Sequence, residues 1–322
     1  MPITYPHKVI LAPMMDLTDR HCRYFLRQIS KHMLLYTEMI TAKALIHGDR
    51  ERLLEFDPCE HPVCLQLGGS DLHELAQAAK WGETRGYDEI NLNVGCPSDR
   101  VQAGAFGLCL MKTPDLVADC IKAMKDTVAA SVSVKTRIGF DEVESYEYLA
   151  DFVAKLVDAD VDQVTIHARK GWLSGLSPKE NRTIPPLKYD VVYRLKRDFP
   201  DLPIAINGGI ETMAQTQAHL EHVDGVMLGR AAYYDSYILA EVDQKFYGVS
   251  APILSREAVI KKMLPYCEQE LTRGASLRHI TQHWLGLYAG QPNAKLWRRV
   301  VADPNSMLND IVDCCKALGS SI

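Results

Sequence analysis

Eight short apolar segments recur at a steady interval over the first ~245 residues, and this rhythm limits the possible folds more than any other feature. They are Val9–Ala12, Leu34–Thr37, Val63–Leu67, Glu89–Asn93, Val132–Thr136, Gln163–His167, Ile204–Asn207 and Gly225–Leu228. Each is four to five residues long, largely apolar and often bounded by Gly or Pro, as strands buried on both faces are. Segments with helical spacing lie between most of them, namely Asp71–Arg85, Pro114–Val128, Ser145–Val157 and Met213–Glu221. Eight βα units in this length predict an α/β fold, a TIM (β/α)8 barrel. A doubly wound sheet is the alternative. It wants a glycine fingerprint after the first strand, where Pro13-Met14-Met15 stands instead.

A barrel carries its chemistry just after the strands, at the C-terminal face. The strand ends agree. They read Pro13-Met14-Met15-Asp16, Glu38-Met39, Gln66-Leu67-Gly68-Gly69, Asn93-Val94-Gly95-Cys96, Lys135-Thr136-Arg137, His167-Ala168-Arg169-Lys170, Asn207-Gly208-Gly209 and Gly229-Arg230. Packing alone does not ask for polar or glycine-rich endings on all eight.

After Phe246 the pattern changes. Gly248–Pro252 reads as a linker, and helical spacing follows over Ser255–Gln269, Ser276–Ala289, Ala294–Val301 and Asn309–Leu318. The expected organisation is a catalytic barrel over 1–245 and a helical domain over 252–322. Net charge is −5, which alone argues against a nucleic-acid partner, but residues 251–322 hold nine Lys or Arg against six Asp or Glu. A basic appendage with Arg273, Arg278, His279, His283, Lys295, Arg298 and Arg299 on an acidic body keeps an anionic partner open. No apolar run approaches a membrane span, and Met1–Val9 lacks an export pattern, so a cytoplasmic protein is expected. The nine cysteines are odd in number and form no CxxC pair, so neither a disulfide framework nor a metal site is expected.

Cys96 sits in Asn91–Arg100, where a strand gives way to a Gly-Cys-Pro-Ser turn that Pro97 prevents from continuing as strand. It is either a reactive thiol on a rigid turn or a small buried hydrophobe. Asn207-Gly208-Gly209 with Gly229-Arg230, after the last two strands, reads as a phosphate cradle. Lys135 is either a Schiff-base lysine or the electrostatic partner of an anionic cofactor ring. Gln66 and His167 share its predicted height, and an amide, a cation and a histidine suit the edge of a flavin. With a flavin, hydride transfer to one carbon of a polarised C=C bond pairs with proton transfer from a thiol to its neighbour. Cys96 must then be protonated when it acts, so it is expected to stand clear of strong cations.

These motifs resemble those of the tRNA-dihydrouridine synthases over nearly the whole chain. The resemblance is carried by Leu11-Ala12-Pro13-Met14-Met15, Leu92–Ser98, Val134–Gly139, Asn207-Gly208-Gly209 and Leu228-Gly229-Arg230. Leu35–Met39, Ile166–Lys170, the loop Trp172–Arg182 and Trp297-Arg298-Arg299 look like the A subfamily, which reduces D-loop uridines 20 and 20a of tRNA. The resemblance implies that Pro13, Met14, Met15, Gln66, Lys135, His167, Asn207, Gly208, Gly209, Gly229 and Arg230 hold FMN. It implies that NADPH reduces the flavin, that Cys96 is the general acid and that Asn93 meets the uracil. Arg137, Lys179, Asn181, Arg182, Arg298 and Arg299 are the implied tRNA contacts. Leu17 and Ala103 depart from the family's usual Trp and Asn, which touches the pocket wall and the loop after Cys96.

Three functions compete on this reading: tRNA uridine reduction, an FMN barrel acting on a free pyrimidine, and a tRNA-binding protein with incidental redox activity. The basic helical segment speaks against the second and the full set of strand ends against the third. A uridine inside tRNA must be flipped out, at a cost of a few kcal/mol that phosphate contacts offset.

Overall fold

The computed structural model describes residues 6–98, 101–102 and 104–319; Asp99, Arg100 and Ala103 lie outside the described residues. All eight expected strands form. They are β1 (Val9–Leu11), β2 (Leu34–Tyr36), β3 (Val63–Gly68), β4 (Glu89–Asn93), β5 (Ser131–Arg137), β6 (Gln163–His167), β7 (Ile204–Asn207) and β8 (Gly225–Leu228). Neighbours are parallel throughout, and β8 pairs back onto β1, with Val9 opposite Val226 and Leu11 opposite Leu228, so the sheet closes. A two-residue strand, Ile40–Thr41, adds to β3 beside the ring. Two residues are too few to carry a periodic signal.

Side chains alternate across each strand. One set, including Leu65, Ile90, Leu92, Val132, Val134, Val164, Ile166, Ile204 and Ile206, packs outward in the main core. The other set fills the barrel. A small apolar cluster of Ile10, Leu34, Tyr36, Cys64, Ala205 and Met227 lies there, together with the buried polar residues Gln66, Glu89, Asn91, Asn93 and Ser133. The intervening helices begin where capping residues allow. Asp71 accepts from the Glu74 amide and Ser145 from the Tyr148 amide, while Thr212 and Gln215 form a capping box.

Helix Val242–Tyr247 ends at Gly248 in the left-handed conformation (φ 68°), and four further helices follow: Arg256–Thr272, Leu277–Thr281, Ala294–Ala302 and Leu308–Gly319. The first two pack against helix Arg20–Ile29, where Tyr24 stacks on Tyr266 with ring centroids 3.8 Å apart, and Leu308–Gly319 packs on Arg256–Thr272. Asp19, the N-cap of that helix, lies 3.0 Å from His283 Nε2 and 3.2 Å from His279 Nε2. Burial works against the Asp19 charge, yet the His283 hydrogen bond and the Cys22 amide hold its carboxyl well below the usual range. Arg273 pairs with Glu270 and Glu55 at the same joint. Arg273, His279 and His283 are therefore committed to fastening the two parts together and are not free for an outside anion. Among the described residues no helix is long and apolar enough to cross a membrane, and no group of three His, Cys, Asp or Glu could hold a metal.

Candidate active site

The strand ends open on one cavity of about 530 Å³ at the C-terminal mouth of the barrel, within the range that holds cofactors. Its wall includes Pro13, Met14 and Met15 after β1, Gln66 on β3, Asn93 at the end of β4 and Cys96 after it, Lys135 and Arg137 on β5, His167 on β6, Asn207 at the end of β7 with Gly208-Gly209 after it, and Gly229-Arg230 after β8. Leu17 also lines it.

The β7 end can be built only with glycine. Gly208 and Gly209 have φ of 115° and 68°, values that side chains resist. A Cβ at 208 would stand 2.5 Å from His167 Cδ2, and one at 209 would stand 2.6 Å from Leu187 Cδ1. The Tyr189 hydroxyl donates to Gly208 O at 2.7 Å, and Asn207 Nδ2 donates to Met227 O at 2.7 Å, fixing the β7 end against β8. Gly229 differs, since a Cβ there would meet only Ala12 Cβ at 3.9 Å. That glycine leaves open room on the cavity side.

Cations crowd this wall. Burial pushes the half-buried Lys135 ammonium down to about 7, and Arg137 adds to the effect. Burial and the other cations, Arg182 and Arg169 among them, bring Arg137 down to about 10. Arg182 is lowered by burial and by Arg230. His167 is held well below its usual range by burial, then by Arg137 and Lys135, so it is neutral. Cations that depress one another are relieved when an anion enters.

Cys96 is held by its backbone. Asn93 Oδ1 accepts from the amides of Gly95 (3.2 Å) and Cys96 (3.0 Å), Cys96 O accepts from Leu108 N (2.9 Å), and Arg137 Nε donates to Gly95 O (2.9 Å). Among the described residues the thiol has one side-chain partner, Ser98 Oγ at 3.5 Å. Of the nine cysteines it alone lines the cavity. Lys135, Arg137 and Arg182 line the same mouth, because β5 and the loops after β4 and β6 converge there.

Three residues expected to meet substrate are engaged internally. Asn93 uses both lone pairs on its own turn and one N–H on Gln66 Oε1 at 2.8 Å. Arg137, 4% exposed, also donates to the carbonyls of Lys170 and Asn181, both at 3.0 Å. Asn181 is fully buried and staples its loop through Trp172 N, Trp172 O and Leu176 O. A conformation set by tertiary packing gives no sequence signal for this. Lys179 and Arg182 of the same loop are exposed, and Arg182 reaches the cavity wall. Arg298 and Arg299 are exposed on Ala294–Ala302, whose opposite face is anchored by buried Trp297 donating to Trp284 O at 2.8 Å. Tyr234, 62% exposed and lining the cavity, is absent from the motifs read above. An aromatic at the end of the short helix Arg230–Tyr234 after the last strand was its only signal.

The model of the dihydrouridine synthase (Dus) family matches residues 10–318. A tRNA-dihydrouridine(20/20a) synthase of Synechocystis sp. is 59% identical over 293 residues, covering 91% of this chain and 88% of that protein. The one from Escherichia coli (strain K12) is 58% identical over 294 residues, covering 91% and 85%. An old yellow enzyme homologue from Zymomonas mobilis shares the fold, with a TM-score of 0.54, 14% identity and coverage of 77% and 90%. A closed parallel barrel with a thiol on a rigid turn, a glycine cradle and a matched family model leads to one conclusion: the chain is an oxidoreductase that belongs to the dihydrouridine synthase family.

Proposed function

We propose that the protein reduces uridines 20 and 20a in the D-loop of tRNA to 5,6-dihydrouridine, using FMN reduced by NADPH. The observation that carries this reading is the meeting, in one cavity, of the Cys96 thiol with a glycine cradle and a set of mutually repelling cations. The relatives' names support the positions in tRNA. The donor set fits FMN: Gly208, Gly209, Gly229 and Arg230 would hold the phosphate, Gln66, Lys135, His167 and Asn207 would meet the ring system, and Pro13, Met14 and Met15 would wall it. When bound, FMN supplies the hydride for one carbon of the uracil C5=C6 bond. Cys96 gives the proton to the neighbouring carbon, and Asn93 holds the turn that aims the thiol. Arg137 and Asn181 shape the loops around the mouth and act as positioning residues. Acting on tRNA, the protein would work in the cytoplasm.

Lys135 makes cofactor binding depend on pH. An anion in the cavity favours the ammonium, so binding takes up a proton above the free-state value of about 7. The FMN phosphate is already largely dianionic there. FMN affinity should fall by up to about tenfold per unit as pH rises above that value. Fluorescence titration checks this, and Lys135→Gln should remove the slope. A slope that survives in Lys135→Gln assigns the proton elsewhere.

The RNA surface is read from exposed cations. Among the described residues, Lys295, Arg298 and Arg299 form no ion pair within the protein. With FMN, NADPH and an unmodified tRNA, the protein should place dihydrouridine at 20 and 20a, mapped by mass spectrometry. Arg298→Ala with Arg299→Ala should raise KM for tRNA, keep kcat, and lower the salt slope of binding by roughly two. Product at other positions would reject the assigned uridines, and an unchanged slope would move the RNA surface elsewhere.

A further inference from the structure

Below the cavity floor a run of buried polar side chains descends through the barrel. Asn93 Nδ2 donates to Gln66 Oε1 (2.8 Å), Gln66 Nε2 to Asn91 Oδ1 (2.8 Å), and Asn91 Nδ2 to Ser133 Oγ (2.7 Å). The Ser133 hydroxyl donates to Glu89 Oε1, which also accepts from Tyr36 Oη at 2.8 Å. Gln66, Glu89, Asn91 and Ser133 are each at most 2% exposed. The sequence carries the trace: Glu89, Asn91 and Asn93 alternate along β4 with Ile90 and Leu92, so all three point into the barrel.

We infer that Glu89, Ser133 and Asn91 are positioning residues that hold the Gln66 and Asn93 amides in the orientation set by the Gly95 and Cys96 amides above, so that each keeps an N–H for the cavity. The inference rests on the FMN reading above.

The direction of every bond is forced from the top. The amides of Gly95 and Cys96 can only donate, so the Asn93 oxygen must face them and its nitrogen must face Gln66. The Gln66 oxygen then faces up and its nitrogen faces Asn91, whose nitrogen faces Ser133. The Ser133 proton must leave downward, and it needs a group that accepts. A Glu89 carboxylate accepts from Ser133 and Tyr36 at once and demands no acceptor in return. Turning any one amide over would bring two donors or two oxygens together where no water reaches, a cost of about 1–3 kcal/mol for each unpaired group. Among the described residues one N–H on each of Gln66 and Asn93 has no partner, and both residues line the cavity. A floor of donors favours the reduced, more electron-rich cofactor and polarises the uracil carbonyls.

The test compares FMN-loaded wild type with Ser133→Ala, Glu89→Leu and Glu89→Gln. It reads the flavin midpoint potential, the single-turnover rate of tRNA reduction and tRNA affinity. Ser133→Ala and Glu89→Leu, which interrupt the ladder, should shift the potential to more negative values and slow the single turnover about tenfold or more, with tRNA affinity within about twofold. Glu89→Gln keeps an acceptor oxygen of the same shape and should restore both properties. If Glu89→Leu does not fold, Ser133→Ala against Glu89→Gln carries the comparison. A wild-type potential and rate in Ser133→Ala overturns the inference, and so does a Glu89→Gln protein as impaired as Ser133→Ala. A wild-type protein that takes up no flavin defeats the FMN reading itself, before any variant is compared.

Discussion

Replacing Cys96 with alanine leaves a folded, yellow protein whose rate of dihydrouridine formation falls by about two to four orders of magnitude, the usual contribution of a positioned general acid. The fold survives because the turn does not depend on the thiol. Its holds are the Gly95 and Cys96 amides on Asn93 and the Leu108 amide on Cys96 O, all kept by alanine. Among the described residues the sulfur itself has only the Ser98 hydroxyl at 3.5 Å. FMN stays because the residues assigned to it stand on other strands. Flavin absorbance after desalting and single-turnover product analysis separate the two properties. Cys96→Ser should recover little, because a hydroxyl in the same place is a far weaker acid. A Cys96→Ala protein that makes dihydrouridine at the wild-type rate removes the thiol from the mechanism.

The barrel was legible because burial on both faces leaves short apolar runs, and eight of them at even spacing admit few topologies. β5 runs one residue further at each end than Val132–Thr136 suggests, since Ser131 and Arg137 pair with neighbours although neither is apolar. The cavity was legible for the same reason: once the strand ends are known, Gln66, Cys96, Lys135, His167 and Gly208 must face one another across the mouth. What a residue does once it arrives was less legible. Asn181 reads as a polar loop residue open to RNA, yet its amide closes three bonds inside its own loop. His283 reads as part of a basic surface, yet it is 2% exposed against Asp19 and Tyr233. Such contacts join segments that are distant in sequence, and no local period announces them. The ladder under Gln66 lies between these cases, since its alternation is visible in β4 but its direction emerges only from the backbone amides above it.

Gly208→Ala and Gly229→Ala should both lose flavin, for different reasons, and the pair separates damage to the fold from a blocked cofactor site. At 208 the φ of 115° is one that only glycine adopts readily. The added Cβ would lie 2.5 Å from His167 Cδ2 and 2.8 Å from its Nε2. His167 is a buried ring on β6 with no flexible end to yield. The loop must therefore move, at a cost of about 1–3 kcal/mol, which in a chain of this size lowers the Tm of the flavin-free protein by several degrees. At 229 the protein itself offers room: among the described residues other than its chain neighbours, only Ala12 Cβ comes within 4 Å of an added Cβ, at 3.9 Å. With no clash to relieve, the flavin-free Gly229→Ala protein should melt closer to wild type than Gly208→Ala does, while FMN affinity drops at least about tenfold. Differential scanning calorimetry without flavin and fluorescence titration with it give the two readings. A Gly229→Ala protein that binds FMN as tightly as wild type places the phosphate away from the β8 end and leaves the Gly208-Gly209 turn as the part of the cradle to which it must bind.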